Sequence, residues 1–457
     1  VRLENLKGRR VAVWGTGREA IAAAEAIAPH GPARMIAIQD KTTFLATGWD
    51  GHLAEIAPLY EGEAAHDQLR SIDVIVRSPI IGQTHPWIVE HRARGGVVTG
   101  GTALWMADHA ARTVGVTGSK GKSTTTTLIH QMLEAVGRQT TLGGNIGLAA
   151  LALPESERYV LELSVYQCAD IEDSPRVVAL TSLFQEHLDW SGGESAYYRD
   201  KLNVVMHGAE VVVYNGQDER LAAELREQGA GLDLPLVAAN RPDSFHVTEH
   251  TDGRRWVFLA GEPLFPRDLF APVGLHNEGN LCVALAAVQG EGVDCLVHRD
   301  DLARAVQEYA PLKYRMTELP DPSGLIFVDD SLSTIPQSAM FAIEAYADRP
   351  LTVIIGGSLD RAVDYTPLRD YLEQRKITAT LIGVPDNGDV ILGLLRDLPG
   401  ITTISTGDLA DAVRLSREVT PAGGVVLLSP AAPSYGRYDN WEHKSRAFRE
   451  AIQATAA

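Results

Sequence analysis

The chain has 457 residues, with 41 Lys+Arg against 59 Asp+Glu and a formal net charge of −18. At 45% apolar and 22% charged it can bury several cores, which excludes a disordered chain. The acidic balance argues against a nucleic-acid partner, because such proteins bring Lys/Arg-rich surfaces to the phosphate backbone.

Cys168, Cys282 and Cys295 are widely spaced and odd in number. This argues against a disulfide framework or a cysteine zinc site and suits a reducing compartment. No stretch approaches the roughly 18 apolar residues that span a bilayer, so no membrane insertion is expected. Arg2, Glu4, Lys7, Arg9 and Arg10 lead into a strand with no signal-peptide apolar region, and the expected location is the cytoplasm.

In chain order, Val11–Trp14 reads as a buried strand, Gly15-Thr16-Gly17 as a turn, and Arg18 onward as an Ala-rich helix ending at Pro29-His30-Gly31. A second strand, Met35–Ile38, runs into Gln39-Asp40, where a dinucleotide fold places its ribose-binding acid. Ala20 stands where the third fingerprint glycine belongs, so an α/β domain without a dinucleotide is an equal reading. Asp73–Val76 is a further strand before Ser78-Pro79, and the domain closes near Gly100-Gly101.

Thr113–Val116 then feeds Thr117-Gly118-Ser119-Lys120-Gly121-Lys122-Ser123-Thr124, followed by a helix over Thr125–Val136. A strand, a Gly-rich turn and a helix start are the parts that hold nucleotide phosphates. Lys122 is placed to reach the outer phosphates and Ser123 to ligate magnesium. Val116 stands where the standard loop has a glycine, so the loop is short. Glu162, in the strand Tyr159–Ser164, is either a metal ligand in a buried strand or a carboxylate on the solvent face of an edge strand. The run Arg176–Leu183 ends before Gln185-Glu186-His187, a strand-end histidine. Lys201 reads, on residue physics, as a surface lysine. After Val211–Asn215, residues 234–269 read as a small appended β region. Asn277 and Asn280 open a helix on one face, as ligand amides or as caps. Strands follow at Gly324–Val328, Leu351–Ile355, Ala379–Gly383, Thr402–Ser405 and Gly424–Leu428. The ends Asp329-Asp330 and Ser429-Pro430 can meet only if their strands are neighbours.

These pieces in this order resemble the Mur ligase family, ATP-dependent amino-acid ligases of peptidoglycan precursor synthesis. The resemblance spans the chain and implies three α/β domains. They are a Rossmann-like UDP-substrate domain over 1–101, a P-loop ATPase-like parallel-sheet domain over 102–311 and a Rossmann-like amino-acid domain over 312–457. The family signature falls on Thr117–Thr124, its strand acid on Glu162, its histidine on His187 and its His-Asn-x-x-Asn on His276–Asn280. Its third-domain arginine and aspartate fall on Arg315 and Asp330. The resemblance implies Lys122, His187, Lys201, Arg315 and Asp330 as catalytic residues. It implies ATP on Gly118–Thr124, Asn277, Asn280, Arg315 and Asp330. Two magnesium ions are implied, one on Ser123 and Glu162, the other on His187 and a carbamylated Lys201.

Gly143–Gly147, Leu161–Ser164 and Ser429–Ala432 look most like the branch that adds glutamate to UDP-N-acetylmuramoyl-L-alanine. Thr16, Gly17, Arg18, Glu19, Asp40, Ser78, Asn145 and His187 are then implied in the UDP-substrate site. Thr334, Arg361, Ser434, Tyr435 and Trp441 are implied in the glutamate site. Several of these last depart from the D-glutamate ligases, with Arg361 in place of lysine, and arginine is no neutral stand-in for it. The departures resemble a branch that attaches L-glutamate, whose product a partner epimerase converts. A monomer is expected. D-glutamate addition, a sister ligase for another amino acid, a P-loop ATPase regulator and a non-catalytic nucleotide-sugar binder are the rival readings.

Overall fold

The computed structural model describes residues 1–15, 17–39, 53, 55–186, 188–231, 233, 235–309, 316–333, 336–357, 364–432, 437–438 and 441–456, without the side chains of 188, 189, 337 and 441. Thr16, Asp40, His187, Arg315, Thr334, Arg361, Ser434 and Tyr435 therefore lie outside the described residues, as does the side chain of Trp441. Two compact units form, Val1–Phe270 with Glu278–Tyr309, and Ala271–Asn277 with Ala310–Ala457.

The first unit opens with β1 (Arg10–Trp14), β2 (Arg34–Gln39), β3 (Leu59–Glu61), β4 (Val74–Arg77) and β5 (Val97–Gly100), ordered β3-β2-β1-β4-β5. All four pairings are parallel. Apolar residues cover both faces, Val11, Val13, Val74 and Val76 on one side and Ala12, Trp14, Ile36 and Ile75 on the other. This two-sided burial is why these strands read as continuous apolar runs. The order reverses between β1 and β4, so a crevice opens outside the carboxyl ends of those two strands.

The second sheet holds β6 (Thr113–Thr117), β7 (Thr140–Gly144), β8 (Arg158–Glu162), β9 (Val177–Leu180), β10 (Val211–Asn215) and β11 (Leu236–Ala239), ordered β11-β10-β9-β6-β8-β7. Its loop-bearing strand β6 pairs in parallel with β8 and β9. The helix after the phosphate loop runs Lys122–Ala135, three residues earlier than the Thr125 start read from its apolar spacing. Gly121, at φ +88°, ends the loop in the left-handed region, and helix begins at once. An antiparallel sheet of β12 (Phe245–Glu249), β13 (Arg255–Leu259) and β14 (Glu262–Pro266) packs Phe245, Val257 and Phe265 into the core that holds Leu128, Ile129 and Leu281.

The second unit carries β15 (Thr317–Pro320), β16 (Ile326–Asp329), β17 (Leu351–Ile355), β18 (Ala379–Gly383), β19 (Ile401–Ser405) and β20 (Val425–Leu428), ordered β15-β16-β20-β17-β18-β19. Only β15 is antiparallel to its neighbour. The fold is α/β, as expected. Strands β16 and β20 are neighbours, and Ser429 Oγ donates to Asp330 Oδ2 at 2.9 Å. Among the described residues no helix is long and apolar enough to cross a membrane.

Within the first unit, Arg77 at the end of β4 is joined to Asp170 at 2.7 Å, their side chains 0% and 5% exposed. Arg77 also donates to the carbonyls of Pro79, Ile81 and Tyr166. Removing one partner leaves the other charge buried. Arg77→Met is expected to destabilise the first unit by about 3–5 kcal/mol, read by calorimetric unfolding.

Candidate active site

The phosphate loop is built by burial at both ends. Thr117 Oγ1 donates to Leu163 O at 2.8 Å, and Ser119, fully buried, donates from Oγ to Phe184 O at 2.7 Å. Lys120 pairs with Glu186 at 3.1 Å. A Cβ on Gly121 would stand 2.2 Å from Asn280 Oδ1, so the glycine is what lets the Asn280 side chain lie on the loop. Ser123 and Thr124 follow in the first turn of the helix, whose positive end faces anions.

Two lysines share one oxygen. Lys122 Nζ donates to Gly118 O and to Ser119 O, each at 3.0 Å. Lys201 Nζ donates to the same Gly118 O at 3.0 Å. Lys201 is 2% exposed, on the helix Glu194–Leu202, and its ammonium lies 4.9 Å from the centre of the Tyr197 ring. It is not the surface lysine that residue physics suggested. Burial first, and then the charge of Lys122, push its pKa down to about 7. A neutral amine at ordinary pH is what reaction with carbon dioxide requires.

Glu162 ends β8 beside Val116 of β6 and is 2% exposed. Strand β8 lies between β6 and β7, so the solvent-exposed edge-strand reading is excluded. Asn145 donates from Nδ2 to Glu162 Oε1 at 2.6 Å, while Oε2 is buried without a hydrogen-bond partner. A buried carboxylate oxygen left open beside a phosphate loop fits a cation. Among the described residues no group of three or more His, Cys, Asp or Glu forms a metal site. The Ser123 hydroxyl and Glu162 would make a mixed donor set of the kind magnesium takes when phosphate oxygens complete its shell.

The residues expected to meet the UDP substrate divide. Ser78 Oγ is buried and unpartnered just past β4, where the strand order reverses, and so is Nε1 of Trp14 at the end of β1, a residue that sequence reading did not single out. Gly17 caps the helix Arg18–Ile27. Arg18 and Glu19, however, engage the second sheet. Arg18 donates to Gly147 O at 2.5 Å and to Gly144 O and Asn145 O at 3.4 Å, and Glu19 accepts from Gln167 at 3.2 Å. Asn145 has its amide on Glu162. In the second unit, Asn277 Nδ2 donates to Val273 O at 2.7 Å, and Asp330 holds Ser429. Lys444, 1% exposed on the helix Trp441–Thr455, donates to Gly356 O at 2.9 Å just past β17. Sequence reading passed over it, although its spacing from Phe448 and Ala451 marks the buried face of that helix.

The unfolded chain keeps the Lys201 proton to about pH 10, whereas the folded chain releases it near pH 7. Unmodified protein, prepared without bicarbonate, should therefore gain stability as pH rises through that window. Lys201→Met should flatten the rise, measured as the unfolding midpoint from pH 7 upward. An unchanged slope would contradict the buried amine.

A profile of the Mur ligase middle domain matches residues 116–288, the span from the phosphate-loop strand to the Asn280 helix. The chain is 57% identical over 456 residues to a UDP-N-acetylmuramoyl-L-alanine–L-glutamate ligase of Salinispora tropica, covering 100% of both chains. It is 56% identical to the ligase of the same name from a Micromonospora species, covering 100% of this chain and 99% of that one. MurF from Acinetobacter baumannii shares the fold at a TM-score of 0.60 and 16% identity, over 99% of this chain and 92% of that one. With the phosphate loop, the buried Glu162 and a full-length identity of this size, the chain belongs to the Mur ligase family.

Proposed function

We propose that this chain is an ATP-dependent ligase that joins L-glutamate to UDP-N-acetylmuramoyl-L-alanine in peptidoglycan precursor synthesis. The geometric observation that carries the chemistry is the Lys122–Gly118–Lys201 arrangement, together with the open oxygen of Glu162 on the strand that pairs with the loop-bearing strand. The choice of substrates and of L- over D-glutamate is supported by the relatives' shared name and full-length identity.

In the reaction the alanyl carboxylate of the UDP-sugar substrate takes the γ-phosphoryl group of ATP, and ADP leaves. The amine of glutamate attacks the acyl phosphate, phosphate departs, and a peptide bond and a proton are the remaining products. The work of this chain is positioning and charge neutralisation. Gly118, Ser119, Lys120, Gly121 and Thr124 present the loop to the nucleotide, Lys122 meets the charge on the transferring group, and Asn277 and Asn280 contact the nucleotide. Arg315 and Asp330 are assigned to ATP on the family resemblance alone.

Ser123 and Glu162 would hold one magnesium ion, and His187 with carbamylated Lys201 a second; bound magnesium supplies positive charge at the phosphates. Carbamylation adds carbon dioxide to the neutral amine and releases a proton, so the side chain becomes an anion that keeps one N–H for Gly118 O. Two cations on one carbonyl then become a cation and an anion.

Thr16, Gly17, Asp40, Ser78 and His187 form the proposed UDP-substrate site, with Arg18, Glu19 and Asn145 acting from its edge. Thr334, Arg361, Ser434, Tyr435 and Trp441 form the proposed glutamate site. This reading divides the chain at 1–101, 102–311 and 312–457. It also places a monomer in the cytoplasm, with an epimerase acting on its product.

Phosphate release from ATP with UDP-N-acetylmuramoyl-L-alanine is expected to depend on L-glutamate and to be far slower with D-glutamate. Release that needs no amino acid would overturn the ligase reading, and preference for D-glutamate would overturn the stereochemical one. Lys201→Ala should lower kcat at least about a hundred-fold, with partial recovery in added acetate or formate. Full activity without them would contradict the carbamate.

A further inference from the structure

The three-stranded β12–β14 sheet has no part in the chemistry above, yet it grips the helix that reaches the phosphate loop. Arg255, the first residue of β13, meets Glu278 with both nitrogens of its fork, Nη1 to Oε1 at 2.6 Å and Nη2 to Oε2 at 2.7 Å. Arg267, directly after β14, donates from Nε to Glu278 Oε1 at 3.0 Å and from Nη1 to Phe270 O at 2.5 Å. Bidentate guanidinium–carboxylate pairs fix direction as well as distance. Glu278 and Arg267 side chains are 10% and 13% exposed, and Arg255 is half-exposed.

Three consecutive residues of the helix Leu275–Gly290 are each seated on a different element. Glu278 is held by the two arginines. A Cβ on Gly279 would lie 3.0 Å from Asn240 Nδ2, whose amide donates to Asn215 Oδ1 at 2.8 Å at the end of β10. Asn280 lies on Gly121. The same arginines neutralise an acid two residues from Asn280, where an unpaired negative charge would repel a nucleotide phosphate.

We propose that Arg255 and Arg267, through Glu278, are positioning residues for the nucleotide: the appended sheet is a clamp that sets Asn280 against the phosphate loop. The proposal rests on the reading that this loop binds ATP. It is distinct from simple support of the fold, because its effect falls on one substrate.

The test compares wild type with Arg255→Met, Arg255→Lys and Glu278→Gln, measuring KM for each substrate, kcat, ADP affinity by calorimetry and thermal midpoint. Glu278→Gln and Arg255→Met should raise KM for ATP and Kd for ADP by about ten-fold, leaving KM for glutamate within about two-fold. Arg255→Lys, which keeps the charge but loses the fork, should fall between. Variants that bind ADP as wild type does would overturn the clamp and leave the ligase reading standing. So would equal rises in all three KM values that track a lowered midpoint. Wild type that binds no ADP would overturn the ligase reading and the clamp with it.

Discussion

The carbonyl of Gly118 sets the terms for the rest of the site. It stands at the turn after β6 and accepts from Lys122 and from Lys201, each at 3.0 Å. Two ammonium groups on one oxygen, one of them fully buried, repel strongly where water cannot screen them. Burial and the charge of Lys122 push the Lys201 pKa down to about 7, so its ammonium readily gives up the proton. Burial favours the neutral amine, and the neutral amine is the form that takes up carbon dioxide. A phosphate loop next to a lysine so placed is equipped for more than holding a nucleotide. Under the proposed carbamylation its second lysine would carry a carboxylate-like group.

Glu162 is the complementary half of this constraint. It enters the same region from β8, in register with Val116, so its carboxylate is carried to the loop by sheet pairing. Asn145 occupies one oxygen and leaves the other open. The loop bearing Asn145 is itself held by Arg18, the first residue of the helix that Gly17 caps. Arg77 and Asp170 make a second join between β4 and the segment after the helix Val165–Cys168. Within the first unit, then, the start of the helix after the first strand and the acid of the second sheet are mechanically connected. A substrate whose reacting carboxylate must meet a phosphoryl group needs that kind of rigid spacing.

Much of this was legible in the sequence. Val211–Asn215, Leu351–Ile355 and Ala379–Gly383 read at their observed bounds, because strands buried on both faces leave continuous apolar runs. Gly118 and Gly121 gave away the loop, since only glycine tolerates both their backbone angles and the close approach of Thr181, Ser182 and Asn280. Lys201 was not legible from residue physics. Its helix, Glu194–Leu202, is rich in charge; Tyr197, Tyr198, Lys201 and Leu202 share one face at helical spacing, but a lysine on such a face ordinarily carries its ammonium out to solvent. Arg18 reaches Gly147 across 129 positions, and Arg255 reaches Glu278 from a sheet that looked merely appended. Side-chain pairings of this range depend on the fold, so they emerge only with it. Family resemblance supplied what spacing lacked for Lys201. It was silent on the clamp.

The most direct measurement is carbon-13 NMR of the protein equilibrated with labelled bicarbonate, comparing wild type with Lys201→Met. We expect one carbamate carbon signal in wild type, strengthened by magnesium and ATP, and its loss in the variant. A wild-type spectrum without that signal under turnover conditions, or the same signal in both proteins, would contradict the proposed carbamate on Lys201.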